Sequence, residues 1–352
     1  TGALDQITME GYDSSSLATM VNKITRGATK SIGLISMDGY DASHLEGMVE
    51  QITAGATSAL DEIEMQGYSS DNLSTLLGEI SSGATSALGE IKIKDYSSDN
   101  LTSLVNRVTK GSTGALDEIS MNGFDKSKLG AMVEQIASGA TESLDQISMD
   151  GYDSSHLSDL IREVTAGAPE GLGKISMEDY SADDLGDLVN KIASGATGAL
   201  GKISMEGYDS NDLSRMVTQI TAGSTEALDL ISMAGMDKDT LKSKIKSGAS
   251  DSLGNISGMD ASNIDVSSFD LDPPTIIDLY PPDGSTNIPV NTTITAIFSE
   301  PIDNQSLDTN TFTLRKGTNL VPGAVSNAPN TARFTPSNSL SENTDYTANL
   351  NK

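Results

Sequence analysis

The chain has 352 residues and a formal net charge of −28, with 50 acidic against 22 basic side chains, no cysteine and no tryptophan. So strong an acidic balance repels nucleic-acid phosphates and anionic membranes. The lack of cysteine removes disulfides, thiolate metal sites and thiol nucleophiles, and no apolar run of about 18 residues is present to span a bilayer.

The composition changes near Pro273. Nine of the ten prolines lie from that residue onward, whereas 30 of the 33 glycines precede it. Residues 273–352 carry seven acidic and four basic side chains, so −25 of the charge belongs to the first part. At this length more than one folding unit is expected.

From the start to about residue 257 a block of 28 residues recurs without gaps. A glycine marks it at Gly27, Gly55, Gly83, Gly111, Gly139, Gly167, Gly195 and Gly223. An aromatic keeps the same interval at Tyr12, Tyr40, Tyr68, Tyr96, Phe124, Tyr152, Tyr180 and Tyr208, with Met236 in the ninth place. A unit this short cannot bury an apolar face alone, so the period predicts a stacked array of about nine repeats. Leu4, Ile7 and Met9 match Leu60, Ile63 and Met65, so Thr1 falls inside a repeat and the chain reads as a fragment of a longer protein.

Within one repeat, Leu73, Leu76, Leu77 and Ile80 have helical spacing after the N-cap candidates Ser69, Ser70 and Asp71, with Gly83 as a stop. The spacing predicts a helix from about Ser70 to Ser82. Ala84, Ala87, Leu88 and Ile91 continue an apolar face, with Thr85 as the cap of a second, shorter helix. Ile91, Ile93 and Tyr96 leave helical phase, as an apolar turn or a very short strand.

Two solenoids fit. Helix pairs give an α-solenoid, and Ala87-Leu88-Gly89-Glu90-Ile91, Ala199-Leu200-Gly201-Lys202-Ile203 and Leu213-Ser214-Arg215-Met216-Val217 are weakly similar to short HEAT-type repeats. The alternative is a leucine-rich-repeat-like coil of one strand and one helix, on the spacing of Leu60, Ile63 and Met65, although that family's asparagine is replaced by Gly67 and Tyr68. In the last unit the step from Leu213 to Ile220 shrinks to that from Leu241 to Ile245, and Lys238, Lys242, Lys244 and Lys246 crowd there, as a capping repeat requires. Residues 258–272, rich in Ser and Asp, read as a linker.

From Pro273 the period becomes two. Ile294, Ala296 and Phe298 alternate with Thr293, Thr295 and Ile297, Thr311 to Arg315 does likewise, and turn signals such as Pro281-Pro282-Asp283-Gly284 separate the runs. This predicts a small antiparallel β-sandwich. Tyr280-Pro281-Pro282-Asp283-Gly284-Ser285-Thr286-Asn287-Ile288-Pro289-Val290-Asn291, Ile297-Phe298-Ser299-Glu300-Pro301-Ile302-Asp303, Phe334-Thr335-Pro336-Ser337, Leu340 and Asp345-Tyr346-Thr347 resemble the bacterial Ig-like domain of SbsA type. The resemblance implies an exported cell-surface or S-layer-associated module that spaces or displays other domains without catalysis. The family's final strand, with its Asp-x-x-Gly-Asn turn, does not follow Lys352, so the sandwich of 273–352 is expected to be incomplete.

Candidate site residues are tested by comparing repeats. His44 and His156 share one position, filled elsewhere by Asn72, Lys128 and Asp212, which suits a solvated first-turn residue and not a metal ligand or base. Asp38 with Asp41, and Asp150 with Asp153, suggest calcium, but Ser69, Ser97 and Ser181 replace Asp41, and serine serves as a helix cap where it cannot serve as a calcium ligand. So acidic a surface can still hold calcium loosely. Met9, Met37, Met65, Met121, Met149, Met177, Met205 and Met233 form a column that admits Ile93, and Phe124 stands in the tyrosine column, so both columns read as packing.

The row Thr29, Thr57, Thr85, Thr113, Thr141, Thr197 and Thr225, with Pro169 interrupting, and a second row of Thr25, Thr53, Ser81 and Thr109 have the regularity that binds ice or a crystalline polymer; capping of the shorter helix accounts for the first equally well. No nucleophile with its base, no phosphate-binding glycine loop and no HExxH motif occurs. No residue is assigned to catalysis, to a cofactor or to a metal. The expectation is a non-enzymatic, extracellular or bacterial cell-surface structural or adhesive protein that self-associates into a filament or layer, or meets other surface proteins and glycans. The alternative is a polysaccharide-, peptide- or mineral-binding module of a larger secreted protein.

Overall fold

The computed structural model describes residues 14–35, 42–61, 69–91, 98–119, 126–147, 154–176, 180–204, 207–231, 237–256, 260–272, 274–299, 302, 307–328 and 330–350. The chain divides into two compact units, Thr1–Leu271 and Asp272–Lys352.

The first unit is an α-solenoid. Its described helices are α1 (Ser14–Ser31), α2 (Ala42–Ser58), α3 (Ser70–Leu88), α4 (Ser98–Gly114), α5 (Lys126–Glu142), α6 (Ser154–Leu172), α7 (Ala182–Ala199), α8 (Ser210–Glu226) and α9 (Lys238–Leu253). The described residues of this unit contain no strand; residues 62–68 and 92–97, where the alternative coil would place its strand, lie outside the described residues.

Each period holds one long helix, followed in several repeats by a 3-10 turn such as Leu116–Glu118 or Leu144–Gln146. The expected stop at Gly83 and second helix capped by Thr85 are therefore corrected: α3 runs through Gly83 without a break, and Thr85 lies inside it with a buried hydroxyl. The reason is tertiary. A glycine in a helix interior loses about 1 kcal/mol of propensity, and here that loss is met by close approach of another helix.

Helix pairing also follows a longer rhythm than 28 residues. The extensive contacts run from α1 to α3, α5, α7 and α9 in one layer and from α2 to α4, α6 and α8 in the other, while neighbours in sequence touch less. Stacked helices are parallel, since register climbs in both together: Asn22 Nδ2 donates to Glu79 Oε2 at 2.8 Å, and Arg26 Nη2 lies 2.7 Å from Glu90 Oε1. One continuous apolar core lies between the layers, from Leu17 and Val21 through Leu104 and Val105 to Leu241 and Ile245.

The end of the array is closed locally. Within residues 258–272, expected as a linker, Val266 is buried against the core of the array with Ala261, Ile264 and Phe269 packed beside it, and Lys246 Nζ donates to the Ser267 carbonyl at 3.0 Å.

The second unit is a two-sheet sandwich built from β1 (Ile276–Tyr280), β2 (Ile294–Phe298), β3 (Phe312–Lys316), β4 (Asn319–Leu320), β5 (Gly323–Ala328), β6 (Thr331–Pro336) and β7 (Thr347–Leu350). One sheet has the order β1-β2-β6-β5 and the other β4-β3-β7, and the pairings described are antiparallel. Ala296 and Phe298 point inward as the alternation predicts, and meet Phe312, Leu314, Ala332 and Phe334. The rings of Phe312 and Phe334 lie 5.9 Å apart at 56°, the tilted geometry that aromatic pairs favour.

Candidate functional site: the repeat-to-repeat interface

The residues that set the 28-residue interval converge where stacked helices cross. A Cβ at Gly139 of α5 would fall inside the carbonyl oxygen of Gly78 on α3 and 2.7 Å from its carbon. The same holds for Gly83 against Asn22, Gly111 against Glu50, Gly195 against Glu134 and Gly223 against Arg162. In each case the glycine meets the residue five places before the glycine of the helix two repeats back. In α9 the partner of Gly248 is Asn190. That separation is three residues shorter, matching the three-residue contraction between Leu241 and Ile245.

The second threonine row belongs to this crossing. Thr53, Thr109 and Thr165 are the side chains that a Cβ on Gly111, Gly167 and Gly223 would strike. All are buried, and their hydroxyls bond back to their own helices: Thr53 Oγ1 donates to the Val49 carbonyl at 3.2 Å, Thr109 Oγ1 to the Asn106 carbonyl at 3.1 Å, and Thr165 Oγ1 to the Arg162 carbonyl at 2.9 Å. The first row is buried as well, except for Thr225, which is only partly so. The Oγ1 atoms of Thr29, Thr57, Thr85, Thr113, Thr141 and Thr197 have no hydrogen-bond partner among the described residues. Thr225, near the end of the array, instead donates to the Thr221 carbonyl at 2.8 Å. Neither row is a surface that could meet ice or a polymer, because the regular spacing that suggested it is the spacing of the helix stack.

Around the crossings the polar contacts span repeats. Arg107 reaches Glu46 at 3.0 Å and Glu50 at 3.1 Å, Lys110 reaches Glu170 at 2.7 Å, Lys191 reaches Glu134 at 2.9 Å, and Lys202 pairs with Glu142. Glu50 feels burial pushing its pKa up, but its bond from Lys174 and the charges of Arg107 and Lys110 outweigh this and hold the carboxyl below its usual range. Glu163 shows the opposite result. Burial raises it, the Arg162 charge opposes, and Glu226 and Glu170 add repulsion that the Asn106 hydrogen bond offsets only in part, leaving a pKa of about 7. Glu79 is likewise raised by burial, against the hydrogen bond from Asn22.

Helix starts explain the remaining columns. Ser69 accepts from the Asn72 amide while Asn72 Oδ1 accepts from Ser69 N at 3.0 Å, and Ser181 with Asp184 and Asp209 with Asp212 repeat this reciprocal box. Asp237 also caps α9. Serine and aspartate thus interchange as caps in the column of Asp41, while Asp38, Asp41, Asp150 and Asp153 themselves lie outside the described residues. The histidine column is the third helical position of the same box, where Asn72, Asp184 and Asp212 return the bond. Sequence reading placed His44 and His156 in a first turn and missed the box, whose signal was an Asn or Asp three residues after the cap. Tyr180 and Tyr208 pack against the core as expected of rings, whereas the methionine column and the other aromatics of that position fall outside the described residues. Among the described residues no group of three His, Cys, Asp or Glu side chains is placed to hold a metal ion, and no helix is long and apolar enough to cross a membrane.

The second unit has a recognised kind. Residues 270–352 match the family model described as bacterial Ig-like domain, as the resemblance implied. No curated protein matches the chain. Among solved structures, similarity is found to the N-terminal part of the bacterial S-layer protein SbsC (12% identity, 96% of this chain and 73% of that chain, TM-score 0.18). The S-layer protein rSbsC(31-844) gives 12% identity over 96% of this chain and 42% of that chain at TM-score 0.17, and SbsC domains 1–6 give 13%, 96% and 42% at 0.17. At such TM-scores the likeness carries no argument.

Proposed function

We propose that this is a non-enzymatic structural protein of the bacterial surface or exterior, in which an acidic helix array is displayed together with an Ig-like spacer. One observation carries the reading: the repeating columns within the described residues serve helix crossing, core packing or helix capping, which is what an array selected for shape contains. The match of residues 270–352 to the bacterial Ig-like domain supports the surface location. Self-association into a filament or layer follows as the finer proposal, with other surface proteins or glycans as further partners, and calcium held only loosely by the acidic surface.

The test is to fractionate cells carrying the full-length protein, and to follow the purified chain by sedimentation and negative-stain electron microscopy across concentration with and without calcium. Recovery with the cell envelope or medium, together with concentration-dependent assembly, is expected. A chain that stays monomeric throughout, binds no cell wall and gives a selective hit on glycan arrays would establish the binding-module alternative instead.

A further inference from the structure

The side chains beside the crossing glycines differ along the array. Asn22 of α1, whose carbonyl a Cβ on Gly83 would strike, donates through Nδ2 to Glu79 Oε2 at 2.8 Å, one turn before that glycine on α3. Asn106 of α4 stands in the same way to Gly167 of α6, and donates to Glu163 Oε2 at 3.2 Å. Glu79 and Glu163 lie three repeats apart, one in each layer. At two other crossings an ion pair fills this place. Between α2 and α4, Glu50 faces Gly111 and holds Arg107 at 3.1 Å; between α5 and α7, Glu134 faces Gly195 and holds Lys191 at 2.9 Å.

The cations near the two asparagine-bonded glutamates are engaged by other acids. Around Glu163 stand Arg162 and Glu170 of its own helix and Glu226 of α8. Arg162 pairs with Glu226 at 2.7 Å, and Lys110 of α4 pairs with Glu170 at 2.7 Å. Around Glu79 stand Glu142 of α5 and Lys202 of the turn after α7, which pair with each other, while Arg26 of α1 is paired with Glu90. An ionised carboxylate so placed is desolvated, repelled by the acids beside it and relieved most directly by water. Water that reaches it enters one turn from the closest backbone approach of the two helices. Burial accordingly raises both acids, Glu163 to about 7.

We propose that the α1–α3 and α4–α6 crossings are proton-operated joints, closed while Glu79 and Glu163 are neutral and loosened by hydration once they ionise, whereas the ion-paired α2–α4 and α5–α7 crossings stay shut. The sign follows from linkage: a raised acid stabilises the closed joint at low pH, and that share is lost as pH rises through the folded value. The array therefore loosens at two defined places, three repeats apart, as the medium turns from acid to alkaline.

Hydrogen–deuterium exchange of the full chain, read by mass spectrometry at pH 5 and pH 8 with labelling times scaled for the intrinsic pH dependence, tests this. Protection of segments 79–83 and 163–167 is expected to fall about tenfold or more between the two pH values relative to segment 191–195. Glu163→Gln introduces a residue that the array already carries at the same position in Gln135 and Gln219. It should remove the fall at 163–167 and leave that at 79–83, and Glu79→Gln should do the reverse. The absence of any fall, or a fall that survives the glutamine in its own segment, overturns the proposal. So does a fall shared equally by 191–195, which would assign the response to the net charge of the array.

Discussion

Replacing Gly139 by alanine isolates what holds the array together. In an unconstrained helix the change would stabilise by about 1 kcal/mol, the propensity difference between the two residues. Here the new methyl would sit 2.7 Å from the Gly78 carbonyl carbon and 2.9 Å from its Cα. Both obstacles are backbone, so no side chain can swing away, and the helices must part by roughly 0.5–1 Å; a gap of that size forfeits a quarter to a half of each contact's dispersion energy. The contacts at risk include the buried Ile136 and Ala140 and the Ser82–Ser143 hydroxyl bond of 2.7 Å. Overpacking of this kind costs about 3 kcal/mol or more, so a net loss of about 2 kcal/mol is expected. Gly55→Ala is the matched control, with nothing near its Cβ position, and should be neutral or stabilising by up to about 1 kcal/mol. Urea titrations of the full chain followed by far-UV circular dichroism compare the two midpoints. If Gly139→Ala unfolds at the same urea concentration as Gly55→Ala or higher, close helix approach is not what these glycines provide.

Further expectations concern single groups in the same interface. Thr85→Val deletes a buried hydroxyl without a partner and keeps its shape, so stability should hold or rise by about 1 kcal/mol; a loss above about 1 kcal/mol by denaturant titration would contradict the burial. Glu163 has a folded pKa of about 7 against an ordinary 4.5, so the folded chain binds its proton more tightly than the unfolded chain. Its share of stability is therefore present at acid pH and is lost as pH rises from about 4.5 through 7. Glu163→Gln should raise Tm at pH 8 and leave it little changed at pH 5, and equal effects at both pH values would refute the shift. Arg107→Met breaks the contacts to Glu46 and Glu50, which are partly exposed; about 1 kcal/mol should be lost at low salt and less at 0.5 M NaCl, and a salt-independent loss would assign the effect to the stem of the side chain instead.

Much of the architecture is legible in one dimension. Period 28 yields the array, helical spacing places the core side of α3 on Leu73, Leu76, Leu77 and Ile80, and period two places Ala296 and Phe298 inside the sandwich. Interchange of Ser69, Ser181 and Asp209 as caps was readable too, since capping depends on a residue and its own next three. Gly83 was not readable. A glycine that ends a helix and one that admits a neighbouring helix are the same letter, and only the helix about 60 residues away distinguishes them. The threonine rows failed similarly, because regular spacing records equivalence between repeats and not which side of the helix is covered.

The sequence by itself determined the repeat length and the helical and β units, because these rest on local spacing and on comparison of one repeat with the next. Tertiary structure alone decided that helices stack on their second neighbours, that the threonine rows are internal, and that Glu163 and Glu50 shift in opposite directions. Each of these depends on which groups come close across 54 residues of chain or more, as in Asn190 to Lys244, Arg26 to Glu90 and Glu50 to Lys174, and such distances are set by packing and not by the order of residues along one repeat.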